Sequence, residues 1–360
     1  MQLLNSSHVQ LSQLPKQLQT SLQNIVNQVE IESYYRIKHP QYQPVELPET
    51  VTNRFQNLPA EMQAKHLTLQ LRNFLYSVYY NGSLVTNDNQ ENQTRDLVNN
   101  SIFGVDLTFY NRLHQSNQSV GYWNFDWLVV QTEANGTLAV QKNGLTLYVE
   151  PELYQAPADQ TVTIGKTVAI KMPKNLVQNG FYMAISNQNP PGNQDITRIY
   201  FNLSPEGAVA VMQSLTSGLN ALKIPFSFKA LYNPTDYRRY DSAVLYFNKH
   251  NYSLVLPVLT RIYQEHQSYF SDQVPLFTKQ LAPGLACAEE PQHKFGEKES
   301  FGTNRCQIIA NGLINAWEKN EQTPEGKMQF IFNQFALEEI NLQCPYLNAN
   351  SEDIYTPLSA

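Results

Sequence analysis

The chain has 360 residues, a formal net charge of −6 and a hydrophobic fraction of 42%. That length holds one large domain or two ordinary ones, and an acidic total argues against general nucleic-acid binding. Only 16% of residues are charged while 11% are aromatic, the balance of a packed globule and the reverse of a disordered chain.

Leu11, Leu14, Leu18, Leu22, Ile25, Val26 and Val29 recur at helical spacing and predict an amphipathic helix over 11–33. The stretch from Pro40 to Pro48 reads as a loop, and helical spacing resumes through Val51, Phe55 and Leu58. From Pro59 a longer helix is expected, ending at Asn81-Gly82. Residues 83–101 have few apolar anchors and read as a flexible loop with a helical turn around Asp96–Asn99. A short helix is expected from Val105 to Gln115. Asn135-Gly136 and Asn143-Gly144 then separate runs of alternating polarity, so 122–150 is predicted to be an antiparallel meander.

Further strands are expected at TVAIKMPKN, GFYMAISN and ITRIYFNLS, the last from Ile196. Ser204-Pro205-Glu206 supplies a cap and a first-turn proline for a helix that leads into the strand from Ile224. Helical spacing returns from Asn251; Pro275 to Pro291 reads as an extended segment, and helices follow from Phe301 and over Pro324–Glu339. The pattern is α+β: a mainly antiparallel sheet in the middle of the chain, flanked by N- and C-terminal helices. With no linker in view the expectation is a single domain over 1–360, with helices at 11–80, the sheet and site at 120–250, and helices and tail at 251–360.

Glycine-rich phosphate loops, the G-x-S-x-G elbow and H-E-x-x-H are absent, and seven histidines are scattered without ligand spacing, so neither a metal nor a cofactor is expected. The three cysteines are widely separated and odd in number, which points to a reducing, cytoplasmic setting. Cys306 reads as a buried, inert thiol. No apolar run has the length of a membrane span, so no membrane partner is expected.

The informative stretch is Ile224 to Asn248. Phe226, Phe228 and Ala230 alternate with Ser227, Lys229 and Leu231, and Asn233-Pro234 and Asp236 turn the chain back toward a second strand, SAVLYF. That return brings Lys229, Arg238, Arg239 and Asp241 close together. A lysine in an apolar strand either faces water, the commoner case, or lines a site. Other cations stand on or beside strands or open a helix: Lys171, Lys174, Arg198 and Arg305. Either they are separate structural charges, or they converge on a phosphate pocket in which a desolvated lysine serves as a base.

LRNFLYSVYYNG, MPKNLVQNGFYMAI, RIYFNLSPEG, IPFSFKALYNPTDYRRYDSAVLYF, PLFTKQLAPGLACAEEP and ESFGTNRCQIIANGL together resemble the HopA-type family of type III secretion effector-like proteins, in its cyanobacterial form, from about residue 20 to the end. The chain is also similar to the lyase components of class V lanthipeptide and thioviridamide-type biosynthesis. That resemblance implies a phosphoserine/phosphothreonine lyase that eliminates phosphate from a phosphorylated ribosomal precursor peptide beside a separate kinase-like protein. The other function it leaves open is a non-catalytic phosphopeptide- or protein-binding effector-like module. PFSFKAL followed by YRRYDSAVLYF is similar in order and type to the base strand and phosphate-binding segment of phosphothreonine lyases. The likeness implies Lys229 as base and Arg239 as phosphate ligand, with Arg238 beside it; Arg198, Arg305 and Lys174 are further phosphate-ligand candidates. Pro173 stands where such lyases have a histidine, which leaves Lys171, Lys174 or Tyr182 as the general acid.

Overall fold

The computed structural model describes residues 11–84, 104–156, 161–192, 194–297 and 299–358; the loop and turn expected over 83–101 fall almost wholly outside them. Among the described residues there are eight α-helices and three sheets, and every strand pairing is antiparallel.

Helix α1 (Lys16–Gln28) buries Leu18, Leu22, Ile25 and Val26 on one face. It ends at Gln28 and not at 33, because Val29 is already extended and three short strands follow: β1 (Glu30–Ser33), β2 (Arg36–His39) and β3 (Tyr42–Glu46). Ile31, Ile37 and Val45 stand opposite one another across this sheet, a period-two pattern within the stretch expected to be helix and then loop. Pro44 fits because β3 is an edge strand. Helices α2 (Glu49–Gln56) and α3 (Ala60–Leu75) follow, and α3 runs on into a π-helical turn at Tyr76–Tyr80. After α4 (Leu107–Ser116) comes the expected meander, β4 (Tyr122–Thr132), β5 (Leu138–Lys142) and β6 (Leu145–Val149). With β7 (Tyr154–Gln155) and β8 (Thr167–Met172) it forms a five-stranded sheet, ordered β6-β5-β4-β8-β7, around a small core of its own that includes Trp127, Val129, Val140 and Ile170.

The larger sheet has seven strands. In chain order these elements are β9 (Asn175–Gln178), β10 (Phe181–Ile185), β11 (Ile196–Phe201), α5 (Pro205–Ala221), β12 (Phe226–Leu231), β13 (Ala243–Asn248), α6 (Tyr252–His266), β14 (Lys279–Ala282), β15 (Leu285–Glu289), α7 (Phe301–Glu318) and α8 (Pro324–Leu337). The sheet order is β14-β15-β11-β13-β12-β10-β9. Two expectations need correction. TVAIKMPKN is not one strand: Pro173 lacks an N–H, the ladder stops at Met172, and β9 restarts at Asn175 in the other sheet. The sheet also does not end at 250. Residues Leu285–Glu289 are all buried, so no alternation marks β15, and the segment read as merely extended supplies two strands.

Ser204 caps α5, accepting from the Gly207 N–H at 3.2 Å. Helix α5 packs on one face of the seven-stranded sheet with α6 against it; on the other, the rings of Tyr80 and Phe301 meet Tyr200 at 6.4 and 6.3 Å. The main core runs from Leu14 to Tyr355. No helix among the described residues is long and apolar enough to cross a membrane.

Candidate functional site

Strand alternation sorts the β12 side chains. Phe226, Phe228 and Ala230 share the face of α5, and Ser227, Lys229 and Leu231 share the other. Tyr246 of β13 stands opposite Ser227 on one side and Arg198 of β11 on the other, and Lys229 stands opposite Met183 of β10, two residues from Phe181. Arg198, Tyr246, Lys229 and Phe181 therefore lie on one face. The Arg198 guanidinium is 5.0 Å from the Tyr246 ring centre; the Lys229 ammonium is 5.5 Å from Tyr246 and 4.4 Å from Phe181; Arg239 is 5.9 Å from Phe181. Cations and rings alternate across the strands, an arrangement that holds charge close without water.

Counter-ions close the two ends. Asp241 accepts from Arg239 Nε at 2.5 Å and Nη2 at 2.8 Å, and from the Tyr76 hydroxyl at 3.1 Å. Burial by itself pushes the Asp241 carboxyl up, but Arg239, then Lys229 and the Tyr76 hydrogen bond outweigh it and hold the group below its ordinary value. Burial and the neighbouring Asp241 charge push the Tyr76 hydroxyl well up, so it stays a donor. At the other end Glu290 takes both Arg198 and Lys294. Arg239 thus pairs with Asp241, while Arg198 and Lys294 share Glu290; among the described residues Lys229 has no ion pair and only lends its charge to Asp241. Among the described residues the half-buried Lys229 ammonium donates no hydrogen bond; its partners are the two rings. Next to Phe181 and Arg239 opens a cleft of about 370 Å³, whose walls include Gly180, Phe181, Leu231, Asp236, Arg238 and Arg239; Lys229 does not line it and reaches its rim only through Phe181.

The hairpin return brings Lys229, Arg239 and Asp241 together, and Arg198 joins them through Tyr246. Four of the other sequence candidates are placed elsewhere. Lys171 belongs to the five-stranded sheet, donating to the Gly121 carbonyl at 3.2 Å with Trp123 beneath it. Lys174 donates to the carbonyls of His114 and Asn117, both at 2.9 Å, where it caps the end of α4. Tyr182 points to the α5 face, opposite to Lys229, and its hydroxyl meets Asn117 Nδ2 at 2.9 Å. Arg305 is 1% exposed and bonds the carbonyls of Pro345 and Leu347 and the side chain of Asn304; burial without a bonded carboxylate pushes it down to about 10. These four hold elements together and do not face the cleft. Cys306 is buried, and burial pushes its thiol up.

Sequence reasoning missed Tyr246, Phe181 and Tyr76. Alternation sets Tyr246 on one face of β13 with Val244, and it is the register with β12 that makes this the Lys229 face. Nothing local marked Tyr76, which reaches the site only because α3 ends in a π-helical turn against the sheet. Among the described residues no three His, Cys, Asp or Glu side chains are grouped so as to hold a metal ion.

No curated protein matches this chain. Among solved structures, an effector protein from Pseudomonas syringae pv. tomato strain DC3000 is 14% identical over 84% of this chain and 98% of its own, with a TM-score of 0.44. An effector protein from Pseudomonas syringae pv. syringae strain 61 is 17% identical over 47% of this chain, with a TM-score of 0.37; the match spans 63% of that protein, less than two thirds of it. Across residues 172–347, the segment that carries Phe181, Arg198, Lys229, Arg239, Asp241 and Tyr246, this chain is similar to the HopA1 effector protein family.

Proposed function

We propose that the cleft receives the side chain of a phosphorylated serine or threonine in a peptide and that Lys229 eliminates its phosphate. Lys229, as the free amine, takes the proton from Cα; the C–H electron pair becomes the Cα–Cβ double bond; the Cβ–O bond breaks and its electron pair leaves on phosphate. Arg239 and Arg238 hold the phosphoryl oxygens before and during departure. A separate kinase-like protein would supply the phosphorylated ribosomal precursor, as in the lanthipeptide-type lyases that the sequence resembles.

The observation that carries this reading is the Lys229 amine, held between two rings with no hydrogen-bond acceptor among the described residues, next to an arginine fixed by its fork. A phosphomonoester carries about −1.5 to −2 charges at neutral pH, and the two arginines at the cleft, Arg238 and Arg239, are the groups that would meet it. One observation favours the second reading, a phosphopeptide-binding module without catalysis: Pro173 stands where the resembled lyases have a histidine, and Lys171, Lys174 and Tyr182 are all engaged away from the cleft.

Mass spectrometry of phosphoserine and phosphothreonine peptides incubated with the protein separates the two. Loss of the mass of phosphoric acid is expected; tight binding with no mass loss selects the binding module.

A further inference from the structure

We propose that two copies of this chain associate edge to edge through β6. An edge strand exposes unpaired N–H and C=O groups and is ordinarily blunted by charge, proline or shortness. The other edges of this molecule follow that rule. β1 carries Glu30 and Glu32, β3 carries Pro44 and Glu46, and β14 carries Lys279. β7 has two residues, and the four residues of β9 begin and end with the amides Asn175 and Gln178. β6 is different: Leu145-Thr146-Leu147-Tyr148-Val149 has neither charge nor proline, and Leu145 and Tyr148 are 54% and 69% exposed. Among the described residues only β5 pairs with it.

The hairpin fixes which groups are free. Asn143 and Gly144, at φ of 50° and 79°, form a two-residue turn with both residues left-handed, so Lys142 and Leu145 are its hydrogen-bonded closing pair. Bonded and non-bonded pairs alternate along an antiparallel ladder. Leu147 and Val149 therefore also bond β5, and the N–H and C=O of Thr146 and Tyr148 point away from it.

Two β6 strands laid antiparallel about a two-fold axis at Leu147 set Thr146 of each copy opposite the partner's Tyr148. The free donors then meet free acceptors. Parity is kept, so Leu145 lies beside the partner's Val149 on one face and Tyr148 beside the partner's Thr146 on the other. No like charges are opposed: Glu150, just past β6, comes alongside the partner's Gly144, next to the partner's Lys142. The strand that fits this edge in hydrogen bonding, face and charge is its own copy, through an isologous contact.

The test is sedimentation velocity on the full chain over a concentration series. The unmodified protein is expected to show a weight-average sedimentation coefficient that rises with concentration. Thr146→Lys, which adds an ammonium to each copy at an exposed position, and Tyr148→Pro, which deletes an outward N–H that β5 does not use, should hold it at the monomer value. Hydrogen exchange of the unmodified protein gives an independent reading: the amides of Thr146 and Tyr148 should slow at high concentration. A monomer at every concentration, or association that survives both substitutions with no change in those amides, overturns the proposal.

Discussion

Lys229 and Arg239 share one ring wall but have different parts to play, and their removal should differ accordingly. Proton abstraction belongs to the transition state, so Lys229→Ala should abolish elimination while phosphopeptide affinity stays nearly unchanged. Arg239→Ala should weaken binding as well as rate, since losing one charge-assisted partner costs about 1.5–3 kcal/mol. Isothermal titration beside the mass assay reads both; full phosphate loss with Lys229→Ala excludes it as the base. Asp241 governs stability in acid. Its folded pKa lies below the unfolded value of about 3.9, so its contribution is complete above that value and is lost as pH falls through the lower, folded one. Urea midpoints should therefore drop on acidification below about pH 4, and Asp241→Asn should flatten that limb. At neutral pH the same substitution leaves the half-buried Arg239 without its counter-ion, so the urea midpoint should also fall there.

At the level of elements, two glycines of α7 set how closely helices approach. A Cβ on Gly302 would lie 2.3 Å from the Tyr80 ring, and one on Gly312 would lie 2.7 Å from the Ile331 Cα in α8. Gly302→Ala should displace the π-helical turn that carries Tyr76 and Tyr80, destabilising by about 1–3 kcal/mol through overpacking. Gly312→Ala meets backbone, which yields less than a ring does, and should cost more. Thermal melts of the two variants check the order. A Gly302→Ala protein that melts like the parent and binds phosphopeptide equally well would detach the turn from the site.

On the scale of the molecule, the segment that matches the HopA1 effector protein family is not a self-sufficient core. Leu18, Leu22, Ile25, Leu71, Tyr80 and Tyr355 lie outside residues 172–347 and belong to the same buried cluster as Phe228 and Ile309. A fragment of 172–347 would expose the face of the sheet that Tyr80 covers, and its apolar surface would lack the burial that offsets chain entropy. It should show no cooperative melt by circular dichroism and should be cut rapidly by protease, whereas the full chain should melt in one transition. A cooperative transition in the fragment would place the stability within the family segment alone.

Much of the architecture was legible along the chain. The Asn-Gly turns fixed the meander of β4 to β6, Ser204-Pro205 marked the start of α5, and alternation around Lys229 gave the two faces of β12. These signals are local: a turn, a cap and a period of two depend on residues a few positions apart. Where both faces are covered, as at Leu285–Glu289, the period vanishes and the strand went unseen. Which cations meet depended on strand order and register, set by pairings that join residues far apart in sequence. Arg198 and Lys229 share a face because β13 lies between their strands with Tyr246 in phase, whereas Tyr182, one residue from Phe181, is turned to the opposite face. Two rings came to surround Lys229, and a carboxylate and a hydroxyl from a remote helix came to hold Arg239, only once the sheet had formed, because the contacts that assemble them exist only in the packed chain.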